Sequence, residues 1–117
     1  MNDPTSIDRI SVEELAVRLA SEPNPSQQLI DVREPHEVEI AALEGFENLP
    51  LSEADRWAPT IGDRFDPNAE TFVLCHHGMR SAQMCHWLGS QGFTNVHNIE
   101  GGIDAYSIVV DRSVPRY

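Results

Sequence analysis

The chain has 117 residues, 40% of them hydrophobic, which suits one domain with one modest core and is too apolar for a disordered segment. A formal net charge of −11 argues against nucleic acid and anionic membrane surfaces as partners, and no apolar run approaches the ~18 residues of a membrane span. The polar opening from Met1 to Ile10 lacks the pattern of a signal peptide, and two cysteines do not make a disulfide framework, so the expected location is the cytoplasm.

Ile7 to Ile10 reads as a short first strand. Ser11-Val12-Glu13-Glu14 has the form of a capping box, and Val12, Leu15, Ala16 and Leu19 follow at helical spacing, which predicts an amphipathic helix from Val12 to Ala20. The proline-rich stretch Glu22 to Ser26 is a loop. Leu29-Ile30-Asp31-Val32 is a second strand, apolar apart from Asp31, as in a parallel sheet covered on both faces. An aspartate in such a strand must be paired, so Asp31 is a structural residue. Pro35 fits the first position of a helix running to about Ala42.

Phe46 to Leu51, with Pro50, reads as an edge strand, and Ser52 as the cap of a short helix through Trp57. Ala58 to Glu70, with two prolines and a glycine, is expected to be the loosest part of the chain. Phe72-Val73-Leu74 is a buried strand ending at Cys75, and a helix is expected from Ser81 to the glycines at 89 and 92. Asn95 to Ile99 supplies a last strand, and Gly101-Gly102 turns into a helix from Ile103 to about Val110. The core spans about residues 7–107 of a single domain, with 111–117 as a tail. Alternating strands and helices indicate an α/β fold: a mainly parallel sheet of about five strands flanked by helices on both faces.

The loop Cys75-His76-His77-Gly78-Met79-Arg80 lies at the carboxyl end of a strand and leads into a helix N-terminus. Backbone N–H groups, the helix dipole and Arg80 all favour a thiolate there, which makes Cys75 a candidate nucleophile. An arginine in a first turn opposes the dipole unless an anion offsets it, so Arg80 is expected to face an anion, a carboxylate partner being the alternative. Cys85 falls at core-like spacing and reads as a packed thiol, and Trp57 and Tyr106 as packing residues. His76 and His77 are expected to shape the mouth of the pocket. Consecutive residues in one tight loop rarely converge on one ion, so no metal site and no cofactor is expected.

Three segments resemble signatures of the rhodanese family of sulfurtransferases. They are Leu29-Ile30-Asp31-Val32-Arg33-Glu34-Pro35-His36-Glu37, the loop Cys75 to Ser81, and Gly101-Gly102-Ile103-Asp104-Ala105-Tyr106, in family order from about Ile7 to Ser107. Four residues separate Cys75 from Arg80, where cysteine-based phosphatases place five, so the tighter loop resembles rhodaneses and disfavours a phosphatase or arsenate reductase. The resemblance implies a Cys75 persulfide formed from thiosulfate or another persulfide and passed to a thiol, cyanide or an acceptor protein. It implies that the amides of His76, His77, Gly78, Met79, Arg80 and Ser81 bind the sulfur, as an oxyanion hole binds its anion. Arg33 matches the first signature and could reach the rim to bind an anion. The competing reading is a non-catalytic rhodanese-like module that binds a partner protein. The acidic composition suits a monomer and makes a protein-borne persulfide as plausible a donor as thiosulfate.

Overall fold

The structure, a computed structural model, describes residues 8–21 and 26–117. Ile7 and most of the expected proline-rich loop lie outside the described residues. The first strand, β1 (Asp8–Ile10), passes directly into α1 (Val12–Ala20). The turn is abrupt because the Ser11 side chain accepts the Glu14 N–H at 3.1 Å and satisfies one of the orphan donors of the first turn. Next come β2 (Gln28–Asp31) and α2 (Pro35–Ile40), the latter starting on a proline that loses nothing at a position without an intrahelical acceptor.

The edge strand β3 is only Glu47–Asn48. Ser52 does not cap the helix that follows. A 3₁₀ turn over Leu51–Glu53 precedes α3 (Ala54–Trp57), and the Ser52 hydroxyl is drawn instead to the Glu34 carboxylate. The stretch expected to be loosest is in part ordered as a second 3₁₀ turn (Ala58–Thr60) and α4 (Ile61–Arg64). Pro59 sits at the start of that turn, where a missing N–H costs nothing, and Ile61 is buried in the core.

The remaining elements are β4 (Thr71–Leu74), α5 (Met79–Ser90), β5 (Val96–Ile99) and α6 (Gly102–Val109). All strand pairs are parallel, in the order β1-β5-β4-β2-β3. β4 is central and buried along its length, and its side chains divide between two cores with the strand period of two. Val73 and Cys75 point to one face, against Trp57, Ile61, Met84, Cys85 and Leu88. Phe72 and Leu74 point to the other, against Val12, Leu15, Ile99 and Ile103. The fold is therefore an α/β domain with helices on both sides of a five-stranded parallel sheet, and the carboxyl end of its central strand delivers Cys75.

α5 ends as expected at its glycines. Gly92 takes a positive φ of 95°, its N–H donates to Gly89 O at 3.1 Å, and the Phe93 N–H donates to Leu88 O at 3.1 Å. This is the Schellman arrangement, with Phe93 and Leu88 packed in the same core. Among the described residues no helix is long and apolar enough to cross a membrane.

Candidate active site

Cys75 follows β4 directly, and α5 begins at Met79, two residues earlier than the sequence pattern suggests. The reason is Gly78, whose φ of 102° lets a left-handed residue act as the N-cap and turn the chain at once into the helix. Its N–H then points back at the cysteine and donates to Cys75 Sγ at 3.0 Å. The Ser81 hydroxyl lies 3.2 Å from the same sulfur, one turn into the helix. Cys75 is 1% exposed, so these contacts act in a medium that screens them poorly.

The loop hangs on the N-terminus of α6. The Ile103 N–H donates to Cys75 O at 3.0 Å and the Asp104 N–H to His76 O at 3.1 Å, which satisfies two orphan helix donors with two loop carbonyls. Gly102, at φ +62°, makes this approach possible. A Cβ there would stand 2.4 Å from His76 O and 2.5 Å from Cys75 O. From β5, the Asn98 side chain donates to Gly78 O at 3.1 Å and accepts the Ser81 hydroxyl.

Arg80 does not face an open anion site. Its guanidinium pairs with Glu37 of α2 through Nη1–Oε1 at 2.6 Å and Nη2–Oε2 at 2.9 Å, so the offsetting anion is a carboxylate of the chain itself. That guanidinium holds the Glu37 carboxyl down at about 2, helped by the Glu34 N–H and the Tyr117 hydroxyl. Arg33 is likewise not at the rim. It is 0% exposed, and its nitrogens donate to Asp31 Oδ1 and Oδ2, to the carbonyls of Glu37 and Ala41, and to the Tyr117 hydroxyl. A guanidinium with every fork filled has no donor left for a ligand. Asp31 is thus the buried structural partner that its place in the strand implied, at 2.7 Å from Arg33 Nη2.

The two loop histidines lie at the surface side of the site. The His76 ring is stacked between Tyr117, at 3.9 Å between centroids and 8° between planes, and His77, at 3.8 Å and 28°. Burial lowers the His76 pKa below its ordinary value, and the neighbouring His77 adds to the shift. His77 is exposed, with Nε2 3.8 Å from Asp104 Oδ2. The donor atoms of His76, His77 and Asp104 come within 4.8 Å of one another, the kind of set that could hold a metal ion. Arg116, however, occupies both Asp104 oxygens at 2.9 and 3.4 Å. The set does not fit a coordination sphere as it stands.

Of the six loop residues expected around the sulfur, Gly78 and Ser81 touch it among the described residues. Gly78 does so through its amide and Ser81 through its hydroxyl, while the Met79 side chain is exposed and that of Arg80 is held by Glu37. Cys85 is packed in the core beneath, and burial pushes its thiol up to about 12. The sequence reading missed Glu37, Asn98, Gly102, Asp104 and Tyr117 as residues that build the site. Glu37, Gly102 and Asp104 stood inside the quoted signatures and could have been found there, whereas Asn98 and Tyr117 carry no local signal.

Comparison with known proteins agrees with this architecture. The family model for the rhodanese-like domain matches residues 11–108. The chain is 57% identical over 90 residues to a chloroplastic rhodanese-like/PpiC domain-containing protein of Arabidopsis thaliana, covering 77% of this chain and 30% of that one. It is 33% identical over 114 residues to an adenylyltransferase and sulfurtransferase of Debaryomyces hansenii, covering 93% of this chain and 25% of that one. The chain therefore spans about a third or less of the length of these relatives. Among solved structures, a rhodanese-like domain protein from Staphylococcus aureus superposes with a TM-score of 0.74 at 23% identity, over 95% of this chain and 99% of that one. With the family model covering most of its length, and with the fold and the cysteine loop in place, the chain belongs to the rhodanese-like domain family and is related to sulfurtransferases.

Proposed function

We propose that this chain is a sulfurtransferase that carries a sulfane sulfur on Cys75. The observation that carries the reading is the Gly78 N–H aimed at Cys75 Sγ from the N-terminus of α5, at the end of the central strand. In the first half-reaction the Cys75 thiolate attacks the outer sulfur of thiosulfate. A sulfur–sulfur bond forms, the bond to the sulfite sulfur breaks, and sulfite leaves with the electron pair. With a persulfide donor, a thiolate leaves instead. In the second half-reaction cyanide or a thiolate attacks the terminal sulfur and the Cys75 thiolate departs, so the cycle needs no outside oxidant or reductant.

The pairing of Arg80 with Glu37 and the complete engagement of Arg33 favour a persulfide over thiosulfate as the donor, because Arg33 has no donor left and the Arg80 charge is already offset by a carboxylate. Two free thiols suit a reducing compartment, in our reading the cytoplasm.

The test is to incubate the protein with thiosulfate, and separately with a small-molecule persulfide, and to record the intact mass. Cyanide is then added and thiocyanate assayed. The expected result is one added sulfur on Cys75, discharged by cyanide and absent in Cys75→Ser. No adduct and no thiocyanate with either donor would leave the non-catalytic module as the better description.

A further inference from the structure

Both groups that touch the Cys75 sulfur are held by one side chain that lies outside the loop. Asn98 of β5 donates from Nδ2 to Gly78 O at 3.1 Å, and its Oδ1 accepts the Ser81 hydroxyl. Ser81 is fully buried and Asn98 nearly so, so neither has water as an alternative partner. An amide oxygen can only accept, and Ser81 has a single hydroxyl proton. With that proton committed to Asn98, the Ser81 oxygen turns a lone pair toward Cys75 Sγ, 3.2 Å away, and takes the S–H of the neutral thiol. A thiolate at the same place needs the opposite orientation, with the Ser81 proton on sulfur and Asn98 Oδ1 given up.

We infer that Asn98 is a positioning residue of the sulfur centre, which fixes the Gly78 turn and sets the direction of the Ser81 hydroxyl and hence the form of Cys75 that Ser81 supports. It acts through Ser81 and Gly78 and does not touch the sulfur itself. The inference rests on Cys75 being the reacting group. The charged and titratable groups around the site are Arg80 of α5 with its partner Glu37 of α2, Asp104 of α6 with its partner Arg116, the buried Arg33–Asp31 pair, and the loop histidines His76 and His77. The nearby Cys85 thiol stays protonated until about 12. None of these is altered by a change at position 98.

The readout is the ultraviolet thiolate absorbance of Cys75 as a function of pH, taken as the difference from Cys75→Ser, which needs no sulfur donor. Asn98→Ala frees the Ser81 hydroxyl for the thiolate and should lower the midpoint by about half a pH unit or more, a threefold rise in the thiolate-to-thiol ratio. In a Ser81→Ala background the same change should lower it by less than half as much, because the mediator is gone. Asn98→Asp, which keeps an acceptor for Ser81, should not lower it. If Asn98→Ala does not fold, Asn98→Leu, of similar size, is read by the same criteria. An unlowered midpoint in Asn98→Ala with Ser81 intact, an equal shift with and without Ser81, or a lowered midpoint in Asn98→Asp overturns the inference. A protein that shows the coupling yet takes up no sulfur from any donor would contradict the proposed function and leave the role of Asn98 standing.

Discussion

Glu37 and Arg80, 43 positions apart in sequence, meet as a two-point ion pair with both carboxylate oxygens and both terminal guanidinium nitrogens engaged. The pair ties the helix that begins within the first signature to the first turn of the helix after the cysteine. Arg80→Ala strips Glu37 of its main partner while the carboxylate stays largely buried, and should cost about 1–3 kcal/mol in chemical denaturation. Arg80→Lys should recover only part, since an ammonium cannot match two oxygens at once. Unfolding of Arg80→Ala at the wild-type midpoint would show that the pair contributes nothing. Because the folded value of Glu37 lies at about 2, below the ordinary 4.5, its stabilisation is present above 4.5 and is lost as pH falls toward 2. Glu37→Gln should flatten that acid limb.

Gly102→Ala places a Cβ 2.4–2.6 Å from backbone atoms of Cys75 and His76, at a φ of +62° that side chains rarely adopt. Backbone cannot step aside as a flexible side chain can, so a loss of about 2–4 kcal/mol is expected, with slower sulfur loading of Cys75. Gly62→Ala is the control, because a Cβ there meets nothing within 4 Å and no positive φ stands in the way. It should change stability by no more than ~1 kcal/mol. Similar losses in the two variants would remove the special status of Gly102.

His76 owes its lowered pKa first to burial, and its ring is covered on one face by Tyr117. Tyr117→Ala should therefore move the His76 titration, followed by NMR of its ring resonances, upward toward 6.5. The folded value is the depressed one, so the unfolded chain binds the proton first and His76 subtracts stability as pH falls below 6.5. Tyr117→Phe keeps the stack and should leave the His76 titration in place. It would still lose the hydroxyl that accepts from Arg33 and donates to Glu37, each at 2.9 Å. A titration unmoved in Tyr117→Ala would mean that the ring does not shield the imidazole.

Cys85 lies under the site with its thiol raised to about 12 by burial, a poor nucleophile at neutral pH. Cys85→Ala should retain sulfur loading on Cys75, with a modest stability loss of about 1 kcal/mol for the small cavity. Loss of the adduct in this variant would assign Cys85 a chemical part that its burial argues against.

What could be read from the sequence was what local chemistry decides. α1 runs over the predicted Val12–Ala20 because Ser11 announces its start and the apolar spacing its face. β4 and the position of Cys75 follow from a short apolar run, and the two cores from simple alternation along it. What could not be read depends on pairings that span the chain. Arg80 looked like an anion ligand because it is a cation in the first turn of a helix, and its partner Glu37 becomes a neighbour only when α2 and α5 are assembled. Arg33 looked like one because it stands in the first signature. Although Asp31 is close to it in sequence, the Tyr117 hydroxyl that completes its shell comes from the far end of the chain. Asn98 gave no sign at all: one polar residue in a strand is ordinary until the strand is placed beside the loop. The start of α5 was misjudged for a smaller reason, since Gly78 starts the helix through its left-handed conformation and leaves no side-chain cap to read.

The mutual saturation of these charges has a kinetic consequence. Around Cys75, Arg33 is matched by Asp31, Arg80 by Glu37 and Arg116 by Asp104, so these side chains add no net positive charge to offset a chain whose formal net charge is −11. An anionic sulfur donor then approaches against repulsion from the molecule as a whole, which mobile ions attenuate. Thiosulfate should consequently load Cys75 faster as inert salt is added, and an uncharged donor should be indifferent to it. On the proposed function, the ionic strength of the surroundings then tunes how fast an anionic donor reaches Cys75.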